Sequence, residues 1–245
     1  MTTRFLTARW EHLIVLNYPC SPDLLLPYVP LGTRLDAWEG HTFLSLVGFL
    51  FRNTRIRGIG IPWHRTFEEV NLRFYVRREM PDGTRRRAVV FLRELVPRRM
   101  VAALARRLYN EPYLAVPMSN ATDVEAPTGG LVSYFWYYQR QPFSLQATVR
   151  GKPAPSAPGS ATEFVTEHYW GYTRQRDGGT IEYRVDHPPW RVWQPVSHHF
   201  EGPPRLLYGD ALGSVLEGPI HSVVVAEGSE VAVHRGVRLP GPKAS

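Results

Sequence analysis

The run from Thr42 to Phe51 constrains this chain more than any other stretch, because both of its alternating faces are apolar. In an extended segment Phe43, Val47, Phe49 and Phe51 fall on one side and Leu44, Leu46 and Leu50 on the other. A strand of that kind must be covered on both faces, so the run predicts a deeply buried position in a packed sheet. It does not cross a membrane as a helix: Ser45 and Gly48 interrupt it, and it is too short for a hydrocarbon layer.

The rest of the chain supplies partners for such a strand. From Phe67 to Arg78 the residues alternate, with Glu68, Val70, Leu72, Phe74 and Val76 on one face and Glu69, Asn71, Arg73, Tyr75 and Arg77 on the other. Pro81, Asp82 and Gly83 then signal a turn, and the segment through Val96 returns as an antiparallel strand. Leu131 to Tyr138 and Phe143 to Arg150 read as strands, and a hairpin from about Tyr169 to Val185 turns at Asp177, Gly178 and Gly179. Ile220 to Ala226 and Val231 to Arg235 read as a strand pair separated by Glu227, Gly228 and Ser229. Helices are few and short. Ser21 and Pro22 open one at Asp23 to Leu26. Pro97 opens another, with Met100, Leu104 and Leu108 as its apolar stripe, ended by Pro112. Tyr208 to Leu216 is a loop or short helix.

With 20 Gly, 22 Pro and 12% aromatic residues in 245 positions, the chain is a turn-rich globular protein and neither a coiled coil nor a disordered polymer. One domain over residues 1–245 is expected, with a flexible connection around 151–160, where Pro153, Pro155 and Pro158 cluster, and a flexible tail around 239–245. The fold class is mainly β with short helices. A curved antiparallel β-barrel solves the edge problem of so many strands, and a two-sheet sandwich is the alternative.

Charge and cysteine content exclude several functions. The net charge of +7 permits anionic partners, but the basic residues are scattered, and Arg85 to Arg87 and Arg98 with Arg99 fit solvated surfaces better than a duplex-reading element. No specific nucleic-acid partner is expected. A single cysteine, Cys20, excludes an intrachain disulfide and multi-thiolate zinc sites, and it has no recognisable paired base. His64, His168, His187, His198, His199 and His221 lack a spacing that establishes metal ligation, so neither metal nor cofactor is expected. Arg57 to Ile61 lacks the glycine spacing of a dinucleotide fingerprint. The aromatic run Tyr134 to Tyr138 suits a β core. A cytoplasmic protein without transmembrane association is expected, and a homo-oligomer is compatible with a sequence that carries no identifiable interface.

The stretch Phe67-Glu68-Glu69-Val70-Asn71-Leu72-Arg73-Phe74-Tyr75-Val76 is the most distinctive in the chain. Together with Phe5-Leu6-Thr7-Ala8-Arg9-Trp10, Ser45-Leu46-Val47-Gly48-Phe49 and Tyr109-Asn110-Glu111-Pro112-Tyr113, it resembles the YqjF-like conserved proteins, whose fold is similar to that of acetoacetate decarboxylase. The resemblance is carried by the chain up to about Met118. It implies a barrel-like β scaffold with an interior small-molecule site, a pocket glutamate at Glu68 or Glu69, with Glu69 the better match, and a decarboxylase lysine just after a proline. Here Pro112 is followed by Tyr113. A phenol cannot condense with a carbonyl to an imine, and the two lysines, Lys152 and Lys243, lie in a Gly/Pro/Ser-rich connection and a polar tail. Schiff-base decarboxylation is therefore not expected.

Glu69, Arg73 and Tyr75 are the candidate ligand-binding residues, with Tyr113 able to close the same site; Glu69 and Tyr113 are the candidate catalytic groups. In a barrel Arg73 would bind a carboxylate and Glu69 would orient the ligand or exchange a proton. The alternative is a hydrated strand face with a salt bridge, and Glu111 offers a possible acid but reads equally as a solvated helix terminus. The expected function is binding of, or chemistry on, a small organic acid or oxo compound. The alternative is a noncatalytic structural or protein-interaction domain presenting basic surfaces.

Overall fold

The computed structural model describes residues 4–60, 65–98, 110–124 and 130–240. In chain order the strands are β1 (Arg4–Pro19), β2 (Arg34–Leu35), β3 (Phe43–Ile56), β4 (Ile59–Gly60), β5 (Phe67–Glu79), β6 (Arg85–Val96), β7 (Tyr113–Ala115) and β8 (Met118–Asp123). They continue as β9 (Gly130–Tyr138), β10 (Gln141–Pro155), β11 (Trp170–Arg174), β12 (Thr180–Asp186), β13 (Arg191–Glu201), β14 (Ser222–His234) and β15 (Val237–Arg238). The described helices are α1 (Pro22–Leu25), α2 (Ala161–Thr166) and α3 (Pro204–Leu216). The helix expected from Pro97 to Leu108 lies largely outside the described residues.

A wall of four antiparallel strands, ordered β5, β3, β1, β14, divides the molecule into two cores. β3 runs through its middle, and every residue from Thr42 to Phe51 is buried, as its two apolar faces demand. On one face the sheet continues from β5 through β6, β11 and β12, and β12 returns to β14 through Val185 opposite Val233 and Asp186 opposite Ala232. This closes an uneven ring whose seam is only two residue pairs. Val15, Val47, Phe49, Tyr75 and Val224 belong to the core on this side, and Phe164 and Val165 of α2 pack into it. From β14 the sheet also continues through β13, β10 and β9 to β8. This second layer folds back across the wall, so that Asn120 of β8 donates to Glu68 of β5 at 2.7 Å. Leu46, Leu72, Tyr134, Trp136 and Leu145 fill the core between the layers together with α3. The mainly β, curved-barrel expectation holds, and the sandwich alternative survives only as this second layer.

Arginines at one end tie strands together. Arg77 lies opposite Arg87, and Arg78 opposite Arg86, on β5 and β6. Each like-charged pair shares one carboxylate. Asp36 takes Arg77 at 3.3 Å and Arg87 at 3.0 Å, and Glu182 of β12 takes Arg78 at 3.0 Å and Arg86 at 2.5 Å. These four arginines are thus engaged in ion pairs within the sheet.

Several local expectations change. The strand pair expected at 220–235 is one continuous strand, β14: Gly228, at φ +81°, bends it opposite Glu11 without a chain reversal. The connection around 151–160 is strand as far as Pro155, because Gly151 takes a left-handed conformation at an irregularity and Ala154 and Pro155 pair again with β13. Arg57 and Gly58, both at positive φ, form the tight turn between β3 and β4.

Candidate functional site

The face of β5 that carries Glu69, Asn71, Arg73 and Tyr75 points into the ring core. Glu69 is 3% exposed and Arg73 7%, which removes the hydrated-surface reading. A carboxyl and a guanidinium buried at this depth require partners. Glu69 accepts from Asn71 Nδ2 at 3.0 Å on one oxygen and from the Tyr113 hydroxyl at 3.2 Å on the other. Arg73 donates to the Val165 carbonyl at 3.3 Å and lies 5.7 Å from the centroid of the Tyr75 ring. Tyr75 itself shares a 2.8 Å hydrogen bond with Ser45, which donates to Asn17 at 2.6 Å. Tyr75 is thus held by a polar relay across β5, β3 and β1.

Two more carboxyl groups converge on Glu69. Glu94 of β6 stands directly opposite Asn71 and is 1% exposed. It faces inward because of a β-bulge. From Glu79 to Arg73 the hairpin register pairs each β5 residue regularly with β6, but between Leu72 and Arg73 it slips by one, at Leu92. An unbroken register would oppose Asn71 with Arg93 and turn Glu94 to the other face. Glu111, just before β7, is also buried. Its Oε1 accepts from the Tyr183 hydroxyl at 2.5 Å and from Thr173 at 3.4 Å, which overturns the solvated-helix-terminus reading. Strand β7 pairs in parallel with β6 and sets Tyr113 opposite Glu94.

Three buried carboxyl groups with one arginine among them cannot all ionise at neutral pH. Burial is the largest cause pushing Glu69 up to about 7; the neighbouring Glu111 adds to it, while the bonds from Asn71 and Tyr113 and the charge of Arg73 oppose it. Burial likewise pushes Glu111 up to about 7 against its bonds from Tyr183 and Thr173. Glu94 is raised well above the carboxylate range, by burial first and then by Glu111 and Glu69. Tyr113 is raised by burial and by the three glutamates and remains a phenol donor.

Polar atoms without partners gather in the same core. Among the described residues these include Asn71 Oδ1, Glu94 Oε2, Arg73 Nε and both ring nitrogens of His168. Such atoms are uncommon in a protein interior and cost free energy unless water or a ligand satisfies them. His168 follows α2, with its ring centroid 4.6 Å from that of Tyr75 and 5.5 Å from that of Phe164. Burial, and then the charges of Arg87 and Arg73, hold it well below the usual histidine range, against the nearby Val165 carbonyl.

The four candidates Glu69, Arg73, Tyr75 and Tyr113 are therefore brought together. Glu111, which the sequence offers as a possible acid, joins them, as does His168, which it offers only for metal ligation, and Glu94, which it does not single out. Lys152 is exposed beside the Gly151 irregularity of β10, and Lys243 lies outside the described residues. No group of three or more histidine, cysteine or acidic side chains among the described residues is arranged to hold a metal ion. No described helix is long and apolar enough to cross a membrane.

The closed ring of strands beside a second β layer is a fold similar to that of acetoacetate decarboxylase-like proteins. The chain superimposes on acetoacetate decarboxylase from Legionella pneumophila with a TM-score of 0.69 at 12% identity, covering 97% of this chain and 88% of that one. It superimposes on an acetoacetate decarboxylase-like enzyme from Sphingomonas wittichii with a TM-score of 0.62 at 13% identity, covering 98% and 94%. The enduracididine biosynthesis enzyme MppR, complexed with pyruvate, gives 0.67 at 12% identity, covering 98% and 92%. Within that fold the sequence is more specific. Residues 7–230 match the DUF2071 family of uncharacterized conserved proteins, and the chain belongs to it. The protein YqjF of Bacillus subtilis is 26% identical over 188 residues, which are 74% of this chain and 72% of that protein.

Proposed function

We propose that the ring core binds a small organic acid or oxo compound, with Arg73 holding a carboxylate and the glutamate cluster exchanging a proton with the ligand. One observation carries this reading: a buried guanidinium and a buried carboxyl group, Arg73 and Glu94, each keep an unpartnered polar atom in the same core. A guanidinium donates to carboxylate oxygens through a fixed fork. Burial, with Glu111 and Glu69, favours the protonated form of Glu94, whose O–H is then on offer, whereas both oxygens of Glu69 are already engaged. Glu94 is therefore the proton donor of the proposed site, and Glu69 holds the acceptor side with Asn71 and Tyr113. The pyruvate bound by MppR, a protein of the same fold, fits the ligand class.

The chemistry does not run through an imine in this proposal, because Tyr113 follows Pro112 and Lys152 is exposed on the other layer. The interaction-domain alternative loses support from the arginines themselves, since Arg77, Arg78, Arg86 and Arg87 are engaged by Asp36 and Glu182. Calorimetric titration with pyruvate tests the proposal. Replacement Arg73→Ala, in protein whose circular dichroism is unchanged, is expected to weaken binding by about tenfold or more, the loss of a charge-assisted hydrogen bond. Equal affinity in the variant would remove Arg73 from the site and the proposal with it.

A further inference from the structure

We infer that His168 is a ligand-contacting residue that donates its ring N–H to an oxygen on the carbon next to the carboxylate, so that the site selects 2-oxo acids over plain carboxylic acids. The inference rests on the reading of Arg73 as the carboxylate clamp. It starts from an imbalance: His168 is 7% exposed, yet neither ring nitrogen makes a hydrogen bond of good geometry. The Val165 carbonyl lies near the ring but is held by Arg73, and a neutral imidazole, which carries one donor and one acceptor, is costly to leave without well-formed bonds in a protein interior. Arg73 Nε in the same core is also unpartnered.

Both groups are fixed around one aromatic ring. Tyr75 has the Arg73 guanidinium 5.7 Å from its centroid and the His168 ring 4.6 Å from it. Arg73 also grips the Val165 carbonyl, three residues before His168. Helix α2 therefore cannot carry His168 away from Arg73 without breaking that bond. Ser160 caps the helix by accepting from the Glu163 N–H at 3.2 Å, and Arg87 donates to the Phe164 carbonyl at 2.9 Å. Held at both ends, α2 presents its following histidine beside the arginine. Burial first, and then the charges of Arg87 and Arg73, favour the uncharged ring, which suits a neutral oxygen and leaves the carboxylate to the guanidinium. A carbonyl or hydroxyl oxygen adjacent to the carboxylate has that chemistry. A methylene group does not.

The experiment compares pyruvate with propionate, which differ at that one carbon. Calorimetric affinities are measured for the wild-type protein, His168→Phe and Arg73→Ala, and the ring nitrogens of His168 are followed by NMR in the wild type. The wild type is expected to prefer pyruvate by about tenfold, the scale of one hydrogen bond. The preference should fall to about onefold in His168→Phe with propionate affinity retained, and the His168 nitrogen resonances should move with pyruvate much more than with propionate. A preference unchanged in His168→Phe, equal weakening of both ligands, or nitrogen resonances indifferent to pyruvate would overturn the inference while leaving Arg73 in place. If His168→Phe does not fold, the wild-type nitrogen resonances decide alone. Failure of the wild type to bind either acid, or no effect of Arg73→Ala on either, would instead overturn the underlying reading.

Discussion

At Glu69 burial, which favours the neutral form, outweighs the hydrogen bonds from Asn71 and Tyr113, which favour the charged one. Removing one donor should tip the balance visibly further. In Tyr113→Phe the 3.2 Å bond to Oε2 is lost and little else of the side chain changes. The Glu69 titration midpoint, followed by carboxyl carbon NMR, is expected to rise from about 7 by about one pH unit, since a hydrogen bond to a charged group is worth that much. A midpoint that stays or falls would show that the phenol does not stabilise the carboxylate. At this scale alternation shows that Glu69, Arg73 and Tyr75 share a strand face, but it fits a hydrated face equally well; the expectation of a pocket there comes from the family resemblance. Glu94 is not legible, because one bulged residue at Leu92 decides its orientation, and that slip has no counterpart in the hydrophobic pattern. His168 is still less so: it reaches Tyr75 through a helix that returns from a distant part of the chain.

Among the elements, β14 shows how a turn signal can mislead. Glu227, Gly228 and Ser229 have turn composition, yet the strand continues because β1 pairs with it on both sides of Gly228. A Cβ on Gly228 would lie 2.0 Å from the Trp10 carbonyl oxygen, and the residue sits at φ +81°. Both the close approach and the backbone conformation require glycine here. Gly228→Ala is expected to destabilise the protein by about 2 kcal/mol or more in urea denaturation, because strain and a backbone clash act together. A loss below about 0.5 kcal/mol would mean that β1 and β14 can separate there at little cost. The strands with a one-sided or doubly apolar pattern, β3, β5, β6, β9 and β10, follow from the sequence because burial dictates their residues. β1 and β13 lack that contrast. Trp10, Glu11 and His12 in β1, and Ser197 to His199 in β13, interrupt any simple alternation, so pairing with neighbours rather than local pattern makes them strands. Helix α2 carried a signal that went unused: Ser160 followed three residues later by Glu163 is a capping box, and Glu163 also accepts from the Gly159 N–H at 2.7 Å.

For the whole molecule, enclosing a carboxyl cluster makes folding stability depend on pH in a direction opposite to that of paired surface acids. Glu69 and Glu111 rise from an ordinary 4.5 to about 7 on folding. Between those values the folded protein holds protons that the unfolded chain has released. The contribution of these groups is therefore fully present below about 4.5 and is lost as pH climbs through 7. His168 has the reverse sign. Held neutral in the folded state, it gains a proton on unfolding below its ordinary 6.5, so its contribution is present above that pH and lost as pH falls. The two effects partly cancel near pH 6, and a single substitution separates them. In Glu69→Gln the amide can keep both neighbours as partners without ever ionising, and Glu94, still raised by burial and Glu111, loses the smaller contribution of Glu69. Measured by urea denaturation at pH 5, 6, 7 and 8, the variant is expected to gain on the wild type as pH rises, on the order of 1 kcal/mol for each pH unit within the titration window. The difference should level off above pH 7, where the wild-type cluster has lost its protons. A difference that is constant from pH 5 to 8 would mean that Glu69 ionises as readily in the folded protein as in water. The ring core would then be wet enough to hold a charged Glu69, and the burial that favours a protonated Glu94 in the proposed site would lose its support.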